Sequence, residues 1–307
     1  MSKMWMRVVV GLAVIAALAF AGWTRISKVA AQTSVTGTWT ASVAKENNKI
    51  NLSFERNSEK SGRHQTGQTF DFADLQGLSR EQALNGGPVN FSLVREAGRI
   101  DCEGSFQDGK GSGTFRFTGN AAFVSAMKSR GFNFEEDPES DDNDRHGENR
   151  LFAATTLNVT TALADDLTSA GLDKLETGDL FKAAIFKIDS KFMREMKASG
   201  YENLGMKELV KARIFKIDPE FVRQVSQMGF SKEPFESLVK MQIFKVTPEF
   251  VTEVRNEGLT NLEVEDMVKL RIFKIDANFI RQAKSEGIPL EVERLVQRRI
   301  GVAHNRN

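Results

Sequence analysis

The sequence predicts an α+β protein, in which an N-terminal antiparallel β meander or half-barrel precedes an α-solenoid of five helical hairpins of about 29 residues. Two observations carry this prediction. Apolar and polar residues alternate between Val35 and Thr118, as they do along strands that bury one face of a sheet. In the second half of the chain a phrase that begins IFKI or IFKV recurs at equal intervals, from Ile185, Ile214, Ile243 and Ile272, and such repetition indicates stacked units.

Residues 1–31 are expected to lie outside this fold. A basic start precedes the uncharged, mostly apolar stretch Val8–Trp23, and small residues follow it, an order that is typical of a secretory signal. The stretch is shorter than the ~20 residues of a usual membrane span. Arg25 and Lys28, however, are unfavourable next to a cleavage site. The sequence therefore predicts a signal peptide or an uncleaved membrane anchor over residues 1–31, and it places residues 32–307 outside the cytoplasm, in the periplasm or the medium.

Charge and composition argue against several classes of protein. The chain carries 42 basic and 41 acidic residues, so global electrostatics give no reason to expect nucleic acid as a partner. The single cysteine, Cys102, excludes an intrachain disulfide, and with only three histidines a structural zinc site is not expected. The sequence has no phosphate-binding glycine loop and no recognisable catalytic set. We therefore expect no enzyme activity and no cofactor, and we expect Cys102 to be a buried, inert thiol.

Residues 32–118 are predicted to form the antiparallel β domain. Six segments with period-two alternation are separated by turn-prone runs. These segments are Thr36–Val43, Lys49–Arg56, Gly67–Phe72, Val89–Glu96, Arg99–Phe106 and Gly113–Thr118. The run Asp74–Gly86 is expected to hold a short helix. Small β-barrels bind lipids and other small molecules, so a small-ligand or lipid carrier that uses this domain is the alternative function.

Residues 119–155 are predicted to hold a junction helix and an acidic insertion. The stretch Phe115–Phe132 parallels the later repeats, with Thr118 in the place of the helix cap and Gly131 in the place of the helix stop. The run Glu135–Glu148 contains eight acidic residues, cannot form a core and is expected to be flexible. It matches a calcium-binding loop only in part, because the closing glutamate is missing.

Residues 156–299 are predicted to form five tandem α-hairpins, followed by a tail over residues 300–307. The five units are Thr156–Ala184, Ile185–Arg213, Ile214–Gln242, Ile243–Arg271 and Ile272–Arg299. A hairpin of this length buries too little apolar surface to fold alone, so the units are expected to stack.

Each unit is expected to begin with a helix of about ten residues. Capping side chains recur at the fifth position of the units, as Thr160, Asp189, Asp218, Thr247 and Asp276. Glycine, which accepts the left-handed backbone that closes a helix, recurs at the sixteenth position, as Gly171, Gly200, Gly229, Gly258 and Gly287. The eighth and twelfth positions are mostly large and apolar. Because residues four apart lie on one side of a helix, they predict its buried face.

A second helix is expected after the glycine, as in Met206–Ile217. There Val210, Ile214 and Ile217 follow the spacing i, i+4, i+7, which predicts a buried stripe. The IFK phrase is accordingly expected to end the second helix and to pack under the first helix of the next unit.

Several features together resemble the extracytoplasmic regions of uncharacterised bacterial proteins. They are the secretory or anchoring start, a GTW segment, a GxGTFxF…FVxxMxxxGF junction and tandem units of the form hxxhTPEFVxxhxxxGh, in which h is apolar. Some such regions are fused to BlaR/MecR-type antirepressor metallopeptidases. The likeness covers about Thr36–Arg299 and implies signalling or partner recognition. The peptidase motif HExxH is absent from this sequence, so the resemblance does not imply peptidase activity.

The candidate partner-binding residues are basic and recur at fixed positions of the repeat. The third position supplies Lys187, Lys216, Lys245 and Lys274, and the tenth position supplies Arg194, Arg223 and Arg281. Because equivalent positions align in stacked repeats, these seven residues predict a basic ladder. The alternative is a set of solvated charges among acidic neighbours.

The sequence thus predicts a non-catalytic, extracytoplasmic protein-binding or sensing module. Its partner would be a protein or peptide of the cell envelope, and residues 8–23 offer a membrane anchor.

Overall fold

The computed structural model of the chain describes residues 34–45, 48–58, 62–135, 150–172 and 174–301. The predicted signal or anchor, residues 136–149 of the acidic insertion and most of the predicted tail lie outside the described residues.

The N-terminal part is a seven-stranded antiparallel sheet that curls into a half-barrel. The strands are β1 (Ser34–Val43), β2 (Lys49–Ser58), β3 (Gly62–Asp71), β4 (Leu75–Gln76), β5 (Gly87–Arg95), β6 (Gly98–Gln107) and β7 (Lys110–Gly119). Their spatial order is β3-β2-β1-β7-β6-β5-β4. Helix α1 (Arg80–Asn85) lies in the connection between β4 and β5, where the sequence predicts a short helix. The α+β fold class is therefore confirmed.

Most strands are longer than the alternation of residues predicts, and the hairpin of β2 and β3 shows why. Strands β2 and β3 pair as far as Ser58 and Gly62, through a run whose composition predicts a turn. Backbone pairing in an antiparallel ladder needs no apolar side chain, so it continues beyond the part of the hairpin that covers the core. The very short strand β4 is not predicted, because two residues carry no periodic signal.

Aromatic side chains fill the apolar side of the sheet. Helix α3 (Arg150–Leu157) lies against this side and inserts the fully buried ring of Phe152. The centroid of that ring lies 5.7 Å from Phe54, 5.5 Å from Phe115 and 5.3 Å from Phe117. Trp39, which is 1% exposed, packs in the same core. The sheet is therefore closed on this side by a packed core.

The junction helix α2 (Ala121–Lys128) is capped by Asn120 and not, as predicted, by Thr118. The side-chain oxygen of Asn120 accepts a hydrogen bond from the Ala122 backbone N–H at 3.0 Å. Thr118 is still part of β7, where it lies opposite Arg99 of β6. The prediction is wrong because Gly119 and Asn120 are an insertion relative to the later repeats. Gly131 does adopt the expected left-handed backbone, with φ of 88°.

Ten further helices form the five hairpins. The first helices of the hairpins are α4 (Thr161–Ser169), α6 (Ser190–Ala198), α8 (Pro219–Gln227), α10 (Pro248–Asn256) and α12 (Ala277–Ser285). The second helices are α5 (Thr177–Phe186), α7 (Met206–Ile214), α9 (Phe235–Ile243), α11 (Val264–Ile272) and α13 (Val292–Arg299). The first helices start at equal intervals along the chain, and so do the second helices, except that α13 starts one position early. Second helices of neighbouring units contact each other, as α5 contacts α7 and α9 contacts α11.

The predicted boundaries of the first helices are confirmed in atomic detail. The side chain of each predicted cap accepts a hydrogen bond from the backbone N–H three residues later, at 2.8 Å for Asp218 and Phe221 and at 3.3 Å for Thr247 and Phe250. The five glycines at the sixteenth position all have φ between 73° and 107°. The five side chains at the twelfth position, beginning with Leu167, are at most 1% exposed.

The predicted stripe on the second helix is wrong in one member. Ile217 is 1% exposed, but Ile214 is 53% exposed and Val210 is only half-buried. Helix α7 ends at Ile214, and the next residues reverse the backbone, so the spacing i, i+4, i+7 does not continue to Ile217. Met206, Leu209 and Ala212 form the buried side of the helix instead.

Candidate interaction surface on the repeats

The four predicted lysines occupy one special backbone position at the end of the second helices. Lys187, Lys216, Lys245 and Lys274 all have left-handed backbones, with φ between 53° and 55°. After Lys216, the Ile217 N–H donates to the Ala212 carbonyl at 2.8 Å, and the N–H of Lys216 itself donates to the Arg213 carbonyl. This pair of bonds is a Schellman motif, and the equivalent bonds follow the third and fourth lysines. The IFK phrase is therefore a helix stop.

Left-handed backbone at this position is a requirement of the repeat. The same position is Asn158 after α3, and Gly301 adopts the left-handed backbone after α13. Asparagine and glycine are the residues that tolerate this conformation best, whereas a lysine there meets a steric cost at its Cβ. Four lysines thus stand where the backbone favours another residue. Their side chains are exposed in all four units.

An exposed isoleucine precedes each lysine by two residues. Ile185, Ile214, Ile243 and Ile272 are between 48% and 53% exposed. The isoleucine or valine three residues further on is buried in every unit, as Ile188 is at 1%. We call the four exposed isoleucines and the four lysines the isoleucine–lysine column. The sequence alone placed these isoleucines in the core. A signal for their exposure was that three apolar residues within four positions at a helix end cannot all face the same core.

Hydrogen bonds between the second helices of successive hairpins place the ends of these helices side by side. Arg213 donates from Nη2 to the Lys187 carbonyl at 2.6 Å, and Gln242 donates to the Lys216 carbonyl at 3.3 Å. The next two units repeat this contact from arginine to a phenylalanine carbonyl, as Arg271 to Phe244 and Arg299 to Phe273, both at 2.9 Å. Arg213, Gln242 and Arg271 each directly precede an isoleucine of the column, so members of the column stand at the ends of neighbouring second helices.

The charges of the column are not balanced within the described part of the chain. None of its four lysines forms an ion pair with a described carboxylate. The lysines five residues earlier differ, because all four are paired with a carboxylate. Lys182 pairs with Asp179 of its own helix at 2.8 Å. The other three pair with a glutamate of the next unit: Lys211 with Glu236 at 2.5 Å, Lys240 with Glu265 at 2.5 Å, and Lys269 with Glu293. The Glu293 carboxylate raises the pKa of Lys269.

The three predicted arginines lie on the first helices and have local partners. Arg194 donates to the Ser190 hydroxyl at 2.9 Å. Arg223 forms an ion pair with Glu220 at 2.5 Å, and Arg281 forms one with Glu257 of the preceding unit. All three are exposed, but their charges are largely engaged on the surface of the repeats. Their part in a basic ladder stays a prediction.

The polar face of the sheet carries a second surface, an open groove of about 860 Å³. At its centre Asp101 accepts hydrogen bonds from Ser92 Oγ and Arg99 Nε, both at 2.6 Å. Burial raises the pKa of Asp101, but the hydrogen bonds from Ser92 and Arg99 outweigh it and hold that pKa below its ordinary value. These groups satisfy one another, so the groove presents no unpaired charge at this point. Beside it, burial raises the pKa of the Cys102 thiol well above its ordinary range.

The described residues contain no cluster of three or more histidine, cysteine or acidic side chains that could hold a metal ion. None of the helices in the described ranges is both long enough and apolar enough to cross a bilayer. Comparisons of the chain with protein-family models, with curated proteins and with solved structures find no significant match.

Proposed function

We propose that this chain is a non-catalytic, extracytoplasmic protein-binding or sensing module that presents the surface of its helical repeats to a partner. The observation that supports the proposal is the isoleucine–lysine column. Half-exposed isoleucines recur at the same position of four successive units, and exposed apolar side chains grouped on soluble domains mark interaction sites. Repeat arrays supply the extended surfaces on which proteins and peptides bind.

The sequence supports the location of this function. The basic start and the apolar stretch Val8–Trp23 are those of a signal or anchor, which would deliver the repeats to the outer side of the membrane. The resemblance to extracytoplasmic regions of bacterial proteins, some of them fused to antirepressor metallopeptidases, favours a role in signalling across the envelope.

The alternative function, a small-ligand or lipid carrier, has weaker support from the sheet. A carrier needs a cavity on the apolar side of its half-barrel. Here the rings of Phe54, Phe115, Phe117 and Phe152 meet at centroid distances below 6 Å, and all four are at most 3% exposed. The apolar side is therefore occupied by the protein's own side chains at the place where a ligand would sit.

Site-specific photocrosslinking in the native cell envelope tests the proposal. A photoreactive amino acid would replace Ile243 in the column or, as a matched control, Gln227, which is exposed at the end of a first helix. We expect a discrete protein adduct from position 243 and none from position 227. The same adducts from both positions, or adducts from neither, would contradict a partner-binding role for the column.

A further inference from the structure

We propose that the isoleucine–lysine column binds an acidic, extended polypeptide segment that carries an apolar side chain and a carboxylate at each repeat. This inference rests on the proposed function and specifies the chemistry of the partner. It follows from the backbone strain of the lysines, from their unbalanced charge, and from the adjoining row of isoleucines.

The backbone indicates that the lysines serve something other than folding. Each of them holds a left-handed conformation in which a residue with a Cβ costs about 1–2 kcal/mol relative to the right-handed helical backbone. Asn158 and Gly301 show that the chain uses residues suited to this conformation at the two ends of the array. Strained residues that persist in a fold mark functional positions. Lys174 and Lys232, outside the column, also hold left-handed backbones, so strain alone does not single out the four lysines. Their recurrence at four successive helix ends does, and it points to the charge that they place at the surface.

The charge has a defined sign and no internal counter-ion among the described residues. Lys240 meets the carboxylate of Glu265 at 2.5 Å, whereas Lys245, five residues later, meets none. The described carboxylates thus neutralise the lysines five residues before the column, whereas the lysines of the column have no counter-ion among the described residues. Four like charges in a row are complementary to an anionic partner.

The isoleucines decide which kind of anionic partner fits. A nucleic acid presents phosphates but offers nothing to four half-exposed β-branched side chains beside each lysine. A second copy of this chain that docked through the same face would bring lysines against lysines. A polypeptide with acidic and apolar side chains satisfies both rows at once. An anionic bilayer surface shares part of this chemistry and is a separate outcome of the test.

The spacing of the repeats gives the register of the partner. Packed helices lie about 8–10 Å apart, and an extended polyproline II chain advances about 3.1 Å per residue with three residues per turn. Each unit of the column therefore corresponds to about three residues of the partner, and every third side chain of the partner lies on the same face. Four units call for about twelve residues, and the simplest probe is a fluorescent peptide in which Glu-Leu-Ser is repeated four times.

The experiment measures binding of this peptide to the full chain in a non-ionic detergent by fluorescence anisotropy. Three further peptides test the chemistry: one with lysine for glutamate, one with serine for leucine, and one of the same composition in scrambled order. The charge-removed variant carries Lys187→Asn, Lys216→Asn, Lys245→Asn and Lys274→Asn, because asparagine keeps the left-handed backbone. The matched control removes four exposed lysines elsewhere, by Lys191→Gln, Lys197→Gln, Lys207→Gln and Lys284→Gln.

We expect the acidic peptide to bind and the lysine peptide to fail. The charge-removed variant should bind the acidic peptide about tenfold more weakly, while the matched control stays within about twofold of the original chain. Binding should weaken as salt rises from about 50 to about 500 mM, because exposed charges are screened. Equal binding of the acidic and lysine peptides, or no difference between the two variants, would overturn the proposal.

A second measurement separates a peptide from a bilayer. The variant Ile243→Cys is labelled with an environment-sensitive dye and reconstituted in vesicles of phosphatidylcholine alone or with added phosphatidylglycerol. We expect no change in dye emission between the two lipids; a blue shift that appears only with phosphatidylglycerol would assign the column to the membrane and overturn the peptide proposal.

If position 243 cross-links a protein in cells but no acidic peptide binds, the partner chemistry is wrong and the proposed function stands. If both fail, the proposed function fails as well.

Discussion

Arg271 donates a hydrogen bond from Nε to the backbone carbonyl of Phe244, 27 residues earlier, at 2.9 Å. That carbonyl belongs to the end of α9, the second helix of the preceding hairpin, where unpaired carbonyls carry the negative end of the helix dipole. The same guanidinium lies 4.8 Å above the ring of Phe250 in its own unit. One side chain therefore caps the second helix of the preceding hairpin and packs on its own hairpin, so it links the two.

Gln242 is the exception among the side chains that make this contact, and replacing it with arginine is predicted to increase stability. Gln242 stands where the second, fourth and fifth units have Arg213, Arg271 and Arg299, and its bond to the Lys216 carbonyl is the longest of the four at 3.3 Å. We expect Gln242→Arg to raise the free energy of unfolding by about 0.5–1.5 kcal/mol, because a charged donor binds a helix end more strongly than an amide does. Chemical denaturation followed by helical circular dichroism measures the change.

Removal of the arginine donor from the next hairpin is the control. Arg271→Met keeps much of the apolar volume but removes the donor, and we expect it to lower the free energy of unfolding by about 1–2 kcal/mol. If Gln242→Arg destabilises the protein, or if Arg271→Met leaves its stability unchanged, the contact between units is not a source of stability.

The left-handed lysines give a prediction whose sign depends only on backbone conformation. Glycine has no Cβ to clash at φ of 54°, so Lys245→Gly should stabilise the protein by about 0.5–1 kcal/mol. The same change within helix α7, Lys211→Gly, should destabilise it by about 1 kcal/mol, since glycine is a poor helix former and the ion pair with Glu236 is lost. Equal effects of the two substitutions on the thermal midpoint would show that the left-handed backbone costs the lysine nothing.

Local signals in the sequence predicted the parts of the fold that depend on single residues. Asp218 and Gly229 mark the two ends of their helix because a cap and a left-handed stop are local requirements. The exposure of Ile214 was not predictable in the same way, because it depends on where the helix ends and on which side the next unit covers. The contact of Arg271 with Phe244 joins the second helices of two successive hairpins, and no pattern of apolar residues or caps indicates it.

The basic ladder stays a prediction, and the backbone conformation of its lysines was not predicted. Equivalence of repeat positions indicated that the lysines would lie along the stack, but no pattern in the residues indicated that their backbone is left-handed. The arginines at the tenth position were added by the same equivalence. Their local partners, such as Glu220 for Arg223, are acidic residues whose role becomes apparent only from the contacts.

Phe152 should be the most sensitive residue of the junction between the sheet and the helices. Its ring is 0% exposed and contacts three phenylalanines of the sheet. We expect Phe152→Ala to lower the free energy of unfolding by about 3–5 kcal/mol, because it leaves a cavity in an aromatic cluster. Phe152→Leu should cost less than half of that. The substitution Val94→Ala, at a side chain that is 38% exposed, should change stability by at most about 0.5 kcal/mol and serves as the control.

Cys102 should be unreactive in the folded protein, because burial raises the pKa of its thiol and the thiolate is the reactive form. Its side chain is 3% exposed and lies between strands that pair on both sides. We expect no reaction with a disulfide reagent at about pH 8 on the time scale at which a free thiol of ordinary pKa reacts, and full reaction in denaturant. The variant Val94→Cys supplies a reactive thiol on the same sheet.

A group whose pKa is raised by folding stabilises the folded state below its unfolded pKa, here about 8.5, and loses that contribution as the pH rises. The free energy of unfolding should therefore fall above that pH, and Cys102→Ala should remove this part of the pH dependence; rapid labelling of native Cys102 would contradict its burial.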